Sequence, residues 1–281
     1  MPDLKTYSIE GHVMAALALN PGQPGLPVIL VHGVVDTLYC WSRGAAAPFL
    51  RFGPCTSLAL PGHFPAVFPP GMRPADLTSS LIARLVAEAV RRISGGQPAL
   101  LVGHSTGAFA VLATATAFPE LTRGLVSISG FARGRWRGIL AAGQWLASHD
   151  PFGKAAFQIL FALGRNKAIF DLTARLHTPG EDGAAKTSHQ AFLDLSSESM
   201  QLYFAAMHGL DIFPQLAQIR APALVMAGSR DLAVPTAQSR QITEAINQAE
   251  CAFLPGGSHH PFNDNPAWYD EVVTDWLSRT F

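Results

Sequence analysis

The sequence predicts an α/β protein with a mostly parallel central sheet flanked by helices and a helical segment inserted after the sixth strand. Three observations lead there. Short apolar runs rich in β-branched residues alternate with longer stretches of helical periodicity. The runs at 28–31, 99–102 and 223–227 are apolar throughout, as strands covered on both faces are. Between Phe131 and Leu210 the strand signals stop, and Ala, Leu and aromatic residues take over. With 48% hydrophobic and only 14% charged residues over 281 positions, the chain can bury a large core and is too apolar to stay disordered.

Taken in order, residues 6–19 read as one or two short strands, stopped by the turn cluster Asn-Pro-Gly-Gln-Pro-Gly at 20–25. The strand at 28–31 runs into His32-Gly33-Val34-Val35. A weaker strand at 56–60 runs into Pro61-Gly62-His63, and a Pro-rich loop follows at 64–74. Residues 76–93 carry Leu77, Leu81, Leu85 and Val86 at helical spacing. The run from Ala99 stops abruptly in Gly103-His104-Ser105-Thr106-Gly107, and an alanine-rich helix continues towards Phe118-Pro119-Glu120. Residues 125–129 read as a buried strand. The stretch 131–210, with Trp136, Trp145 and many phenylalanines, reads as several helices. Strands resume at 223–227 and 252–254 with a helix at 236–246 between them, and a helix at 266–277 closes the chain. The expected organisation is a core of residues 1–130 and 211–281 carrying a helical cap at 131–210. In such sheets ligands bind beyond the carboxyl ends of the strands, where an insert at that edge covers them.

Composition narrows the function. Twenty basic and 20 acidic residues cancel, which favours neither nucleic acid nor an anionic membrane surface as a partner. Cys40, Cys55 and Cys251 form no Cys-x-x-Cys pair, so free thiols are expected, with no metal site and no disulfide framework. Neither dinucleotide nor Walker nor His-Glu-x-x-His fingerprints occur, and no cofactor is expected. Met1-Pro2-Asp3-Leu4-Lys5 has no basic leader character and no transmembrane segment is apparent; the cytoplasm is the expected compartment.

Gly-x-Ser-x-Gly between a strand and a helix lifts the Ser105 hydroxyl out of a sharp turn, and Gly103 and Gly107 leave room where a Cβ would collide. A serine hydroxyl is a weak nucleophile near neutral pH. It needs a base, and the base needs a third group to orient it. Asp231 stands just past the strand at 223–227, and His259-His260 just past the strand at 252–254. The order Ser, Asp, His is the one associated with this elbow. Charge developing on the substrate oxygen requires fixed donors, the first being the backbone N–H of Thr106.

These motifs resemble those of α/β-hydrolase-fold serine hydrolases of the esterase and lipase kind, along nearly the whole chain. The resemblance covers Gly228-x-x-Asp231-x-x-x-Pro235 for the acid and a histidine before Pro261-Phe262 and Pro266 for the base. It implies His259 rather than His260 as base, Asp231 as acid, and the N–H of Val34 as second oxyanion donor. Asp36, Asp194 and Asp211 are more distant alternatives for the acid. Ala59 and Phe64 replace the Asp and Gly that relatives often carry after the fourth strand, which alters one wall of the pocket. His104, Phe64 and Trp136 are the expected pocket residues. The implied activity is hydrolysis of a carboxylic ester of a small, hydrophobic molecule through an acyl-enzyme. A thioesterase, a lactonase and an acyltransferase are alternatives on the same chemistry, and a non-catalytic ligand receptor one from a different class.

Overall fold

The computed structural model describes residues 3–177 and 184–281. Strands β1 (Asp3–Ile9) and β2 (His12–Ala18) form an antiparallel hairpin closed by Glu10-Gly11. Then follow β3 (Val28–Val31), α1 (Ala47–Phe52), β4 (Cys55–Leu58), α2 (Ser79–Ser94), β5 (Ala99–His104), α3 (Thr106–Ala117) and β6 (Thr122–Ile128). Five helices come next among the described residues: α4 (Gly138–Ala147), α5 (Phe152–Leu163), α6 (Lys167–His177), α7 (Ala184–Leu193) and α8 (Ser197–Met207). The chain closes with β7 (Ala223–Gly228), α9 (Thr236–Ala245), β8 (Ala249–Leu254), α10 (Pro261–Asp264) and α11 (Pro266–Thr280). Residues 178–183 of the expected insert lie outside the described residues.

The eight strands form one sheet in the order β1-β2-β4-β3-β5-β6-β7-β8, parallel from β4 to β8 and antiparallel at the β1–β2–β4 edge. Side chains alternate across it. Ile29, Val31, Leu101 and Val225 enter the core under α2 and α3, whereas Val28, Leu30, Leu100, Val102 and Leu224 enter the core under α1 and α11. Burial on both faces is why these strands read as unbroken apolar runs. The chain progresses from β3 to β4 on one side, then crosses to β5 on the other. That reversal opens a crevice at the carboxyl ends of β3 and β5, where Val31 is level with Gly103.

The chain leaves the sheet after β6 and returns to it through a narrow neck. The Gly134 N–H donates to Leu210 O at 2.9 Å and the Ile212 N–H to Ala132 O at 2.9 Å, with Arg133 and Asp211 bridged antiparallel. Gln238 of α9 braces this neck, its Oε1 accepting from the N–H groups of Ala132 (3.2 Å) and Arg133 (3.0 Å).

Some elements differ from expectation, the four-residue α10 among them. Helix α1 is absent from the sequence reading because six residues give too little periodicity; Pro48 is tolerated in its first turn, where no intrahelical N–H bond is lost. The fourth strand stops at Leu58, since Leu60-Pro61 already belongs to the loop that turns at Gly62.

Candidate active site

Ser105 sits between β5 and α3 at φ 53°, ψ −116°, a conformation non-glycine residues rarely adopt. The neighbouring glycines make it possible. A Cβ on Gly103 would lie 2.4 Å from the Gly107 carbonyl carbon, and one on Gly107 would lie 2.2 Å from the Val31 oxygen. Helix α3 therefore packs directly on β3 and β5, with Ser105 at its amino end. The Ser105 N–H donates to Ile128 O at 2.9 Å, fixing the turn to β6. The Thr106 N–H is the first of α3, and the helix itself offers it no acceptor.

Asp231 lies three residues beyond β7 and is buried. Its Oδ1 accepts from the N–H groups of Ala233 (2.8 Å) and Val234 (2.9 Å), and its Oδ2 meets His259 Nδ1 at 2.7 Å. Burial pushes the carboxyl up, but the imidazole charge, its hydrogen bond and the two backbone donors outweigh it and hold Asp231 below the usual carboxylate value. An ionised carboxylate only accepts, so Nδ1 carries a proton, and in the neutral imidazole the lone pair is then on Nε2. The loop bearing His259 is itself tied down. Asp264 accepts from both the Ser258 N–H and the Ser258 hydroxyl, and a Cβ on Gly228 would stand 2.1 Å from Ser258 O. His260 instead packs its ring 4.8 Å from that of His104 and 5.6 Å from that of Phe262.

His104 is buried, and its Nε2–H donates to the His259 carbonyl at 3.1 Å, joining the nucleophile turn to the loop of the base. Burial, then the neighbouring His259, pushes its pKa down to about 3. On the β3 side, Gly33 approaches so closely that a Cβ there would lie 3.3 Å from Ser105 Cβ. The following loop is held by two buried rings. His32 Nδ1–H donates to Gly33 O at 2.8 Å while its Nε2 accepts from the Leu60 N–H at 3.1 Å, a pattern that fixes the neutral tautomer. His63 Nε2–H donates to Val34 O at 2.7 Å. Burial pushes the pKa of His63 down to about 4 and that of His32 well below its usual value.

The expected pocket residues end in different places. Trp136 is buried, its ring edge-on to Phe131 (5.9 Å) and Phe204 (5.0 Å), and its backbone N–H donates to Gln144 Oε1 at 3.0 Å. Phe64 stands 51% exposed, whereas His63 beside it is buried with its ring 4.8 Å from Tyr203 on α8. Asp36 and Asp211 serve local backbone contacts, to Thr37 N and Phe213 N. Tyr203, Gln144, Gln238 and Asp264 escaped the sequence reading. Of these only Asp264 had a local signal, an acid six residues after Ser258; the others act across separations no motif records. Among the described residues no cluster of three or more His, Cys, Asp or Glu side chains is arranged to hold a metal ion.

The strained serine turn, the acid–imidazole pair and their strand ends agree with an independent match. The sequence profile of the alpha/beta hydrolase family covers residues 28–272. The chain belongs to the alpha/beta hydrolase family. Two relatives place this family member among hydrolases. It is 26% identical over 219 residues to a Variovorax paradoxus protein named "Putative carbamate hydrolase RutD", covering 78% of each chain. It is 25% identical over 246 residues to the pimeloyl-[acyl-carrier protein] methyl ester esterase of Xanthomonas oryzae pv. oryzae, covering 85% of this chain and 89% of that one. The fold is shared with the enol-lactonase of Burkholderia xenovorans LB400, at TM-score 0.79 and 18% identity over 98% of this chain and 100% of that one. This alpha/beta hydrolase is accordingly a hydrolase, and no helix among its described residues is long and apolar enough to cross a membrane.

Proposed function

We propose that this hydrolase cleaves a carboxylic ester of a small, hydrophobic molecule through an acyl-enzyme on Ser105, with His259 as base and Asp231 as its orienting acid. The observation that carries the reading is the buried 2.7 Å hydrogen bond between Asp231 and His259 Nδ1, on the strand rim that also bears Ser105 in its strained turn. With the proton on Nδ1, Nε2 takes the Ser105 proton as Oγ attacks the carbonyl carbon. The oxyanion is received by the N–H groups of Thr106 and Val34, two fixed dipoles that need not reorganise as charge develops. Collapse expels the alcohol, which receives the proton from His259. Water then attacks the acyl-enzyme with the same imidazole as base, releasing the acid and restoring Ser105. The helices between β6 and β7 act as a cap, and the rings of Phe131, Trp136 and Phe204 supply an apolar wall for the acyl group.

A fluorophosphonate probe tests the nucleophile. Ser105 is expected to carry the adduct, and Ser105→Ala to remove it; labelling that persists in Ser105→Ala, or no labelling of folded protein beside a working control hydrolase, defeats the proposal. His259→Ala is expected to abolish turnover of p-nitrophenyl esters and His260→Ala to spare it, and the reverse outcome would move the base by one residue. A chain-length series of these esters, with lactones and acyl thioesters alongside, identifies the acyl group.

A further inference from the structure

The aim of the Val34 N–H, the second oxyanion donor of the reaction proposed above, depends on side chains from two other parts of the chain. That N–H shares a peptide group with the Gly33 carbonyl. A trans peptide is planar, so the two point in opposite directions. His32 Nδ1–H holds the Gly33 carbonyl at 2.8 Å, while its Nε2 accepts from the Leu60 N–H at 3.1 Å, and the first peptide plane is fixed. The next plane carries the Val34 carbonyl, which His63 Nε2–H holds at 2.7 Å. Both planes that meet at Val34 are therefore set by buried imidazoles.

His63 is in turn held by the helical insert. Its ring lies 4.9 Å from that of His32 and 4.8 Å from that of Tyr203, the latter edge-on at 74°. Tyr203 is fully buried on α8, and its ring also meets that of Phe68 at 5.7 Å. Helix α8 is fastened within the insert, where Gln201 Nε2–H donates to the Ala147 carbonyl of α4 at 2.8 Å. The Tyr203 hydroxyl has no hydrogen-bond partner among the described residues, so what Tyr203 gives His63 is ring packing. Close-packed interiors transmit such contacts, because a ring lost from one side leaves its neighbour free to turn. Groups around a reacting centre must be placed to within about 0.5 Å, and a small displacement relayed from a distance is enough to slow the reaction.

We propose, on the acyl-enzyme reading of Ser105, that Tyr203 is a positioning residue through which the helical insert holds the oxyanion hole, acting on Val34 by way of His63. The test is steady-state hydrolysis of a p-nitrophenyl ester by Tyr203→Leu, His63→Phe and the double variant. Inhibition by a trifluoromethyl ketone is measured alongside, since its tetrahedral adduct on serine presents an oxyanion to the hole. Removing an oxyanion donor outright costs about 10²–10³-fold in kcat, and a donor left loose is expected to cost about 10–100-fold. Each single variant should lose that factor in kcat with KM within about twofold of wild type, and ketone affinity should fall in step with kcat/KM. Tyr203→Phe retains the ring and is expected to escape the loss. Because both substitutions act on one peptide, the double variant should be no slower than the slower single variant. Circular dichroism shows which variants fold, and either single variant is sufficient for the kinetic test. A loss confined to KM would overturn the proposal, as would ketone inhibition that does not follow kcat/KM or two losses that multiply. So would a Tyr203→Phe enzyme as slow as Tyr203→Leu, since the hydroxyl and not the ring would then matter. Wild-type protein with neither ester turnover nor Ser105 labelling would instead defeat the acyl-enzyme reading itself.

Discussion

Replacing Asp231 by asparagine tests the proposed acid with almost no change in shape. The amide has two orientations. In the first, its oxygen keeps the backbone bonds to Ala233 and Val234 and its NH₂ faces His259 Nδ1. Nδ1 must then be the bare nitrogen, the proton moves to Nε2, and the ring can no longer accept from Ser105. In the second, the oxygen faces His259, but two buried N–H groups lose their acceptor, at about 1–3 kcal/mol each. The productive orientation is thus disfavoured by roughly 2–6 kcal/mol, or about 30-fold to 10⁴-fold at about 1.4 kcal/mol per tenfold. Loss of the carboxylate charge that stabilises the imidazolium adds to this, and the expected fall in kcat/KM is about 10³–10⁴-fold. Steady-state hydrolysis of a p-nitrophenyl ester measures it, with a thermal melt to show that the variant folds. A folded Asp231→Asn enzyme within tenfold of the wild type would refute both the tautomer argument and the assignment of Asp231.

Other substitutions follow from the same geometry. Gly107→Ala sets a Cβ 2.2 Å from the Val31 oxygen and should cost about 3 kcal/mol or more, read as a lowered denaturant midpoint; a midpoint near wild type would mean that α3 is not pressed against β3. Acid should destabilise the fold before any carboxylate titrates. His32, His63 and His104 are held neutral when folded, so the unfolded chain binds more protons as pH falls below the ordinary 6.5, and stability drops with pH down to the folded values. Between pH 7 and 5 the loss is about 2 kcal/mol per histidine, and His104→Gln should remove one such share from the pH dependence of urea unfolding; an unchanged slope would contradict its burial in neutral form. Tyr203→Phe removes a buried hydroxyl that has no partner among the described residues, so the melting temperature should hold or rise. A fall of several degrees would reveal an acceptor for that hydroxyl.

The sheet was legible in the sequence because its strands are buried on both faces, which leaves continuous apolar runs such as Val28–Val31. The rim was legible because turns demand particular residues: only a glycine fits where Gly107 meets Val31. The long-range contacts were not. His63 is buried, hydrogen-bonded to Val34 O and set edge-on to Tyr203 at a separation of 140 positions, while Phe64 beside it stands exposed. Periodicity reports which face of an element is apolar, and it is silent on which distant side chain that face meets.

The neck at Ala132–Gly134 and Leu210–Ile212 makes the helices between β6 and β7 an appendage with its own fastening. Because the two strands of the neck are hydrogen-bonded to each other, the ends of the insert are held together whatever lies between them. Lengthening or exchanging that segment adds little closure entropy, since the cost grows only logarithmically with loop length. Gln238, at the start of α9, grips the neck rather than the helices beyond it. A different helical segment spliced in at this neck should thus leave the sheet and its serine turn folded as they are.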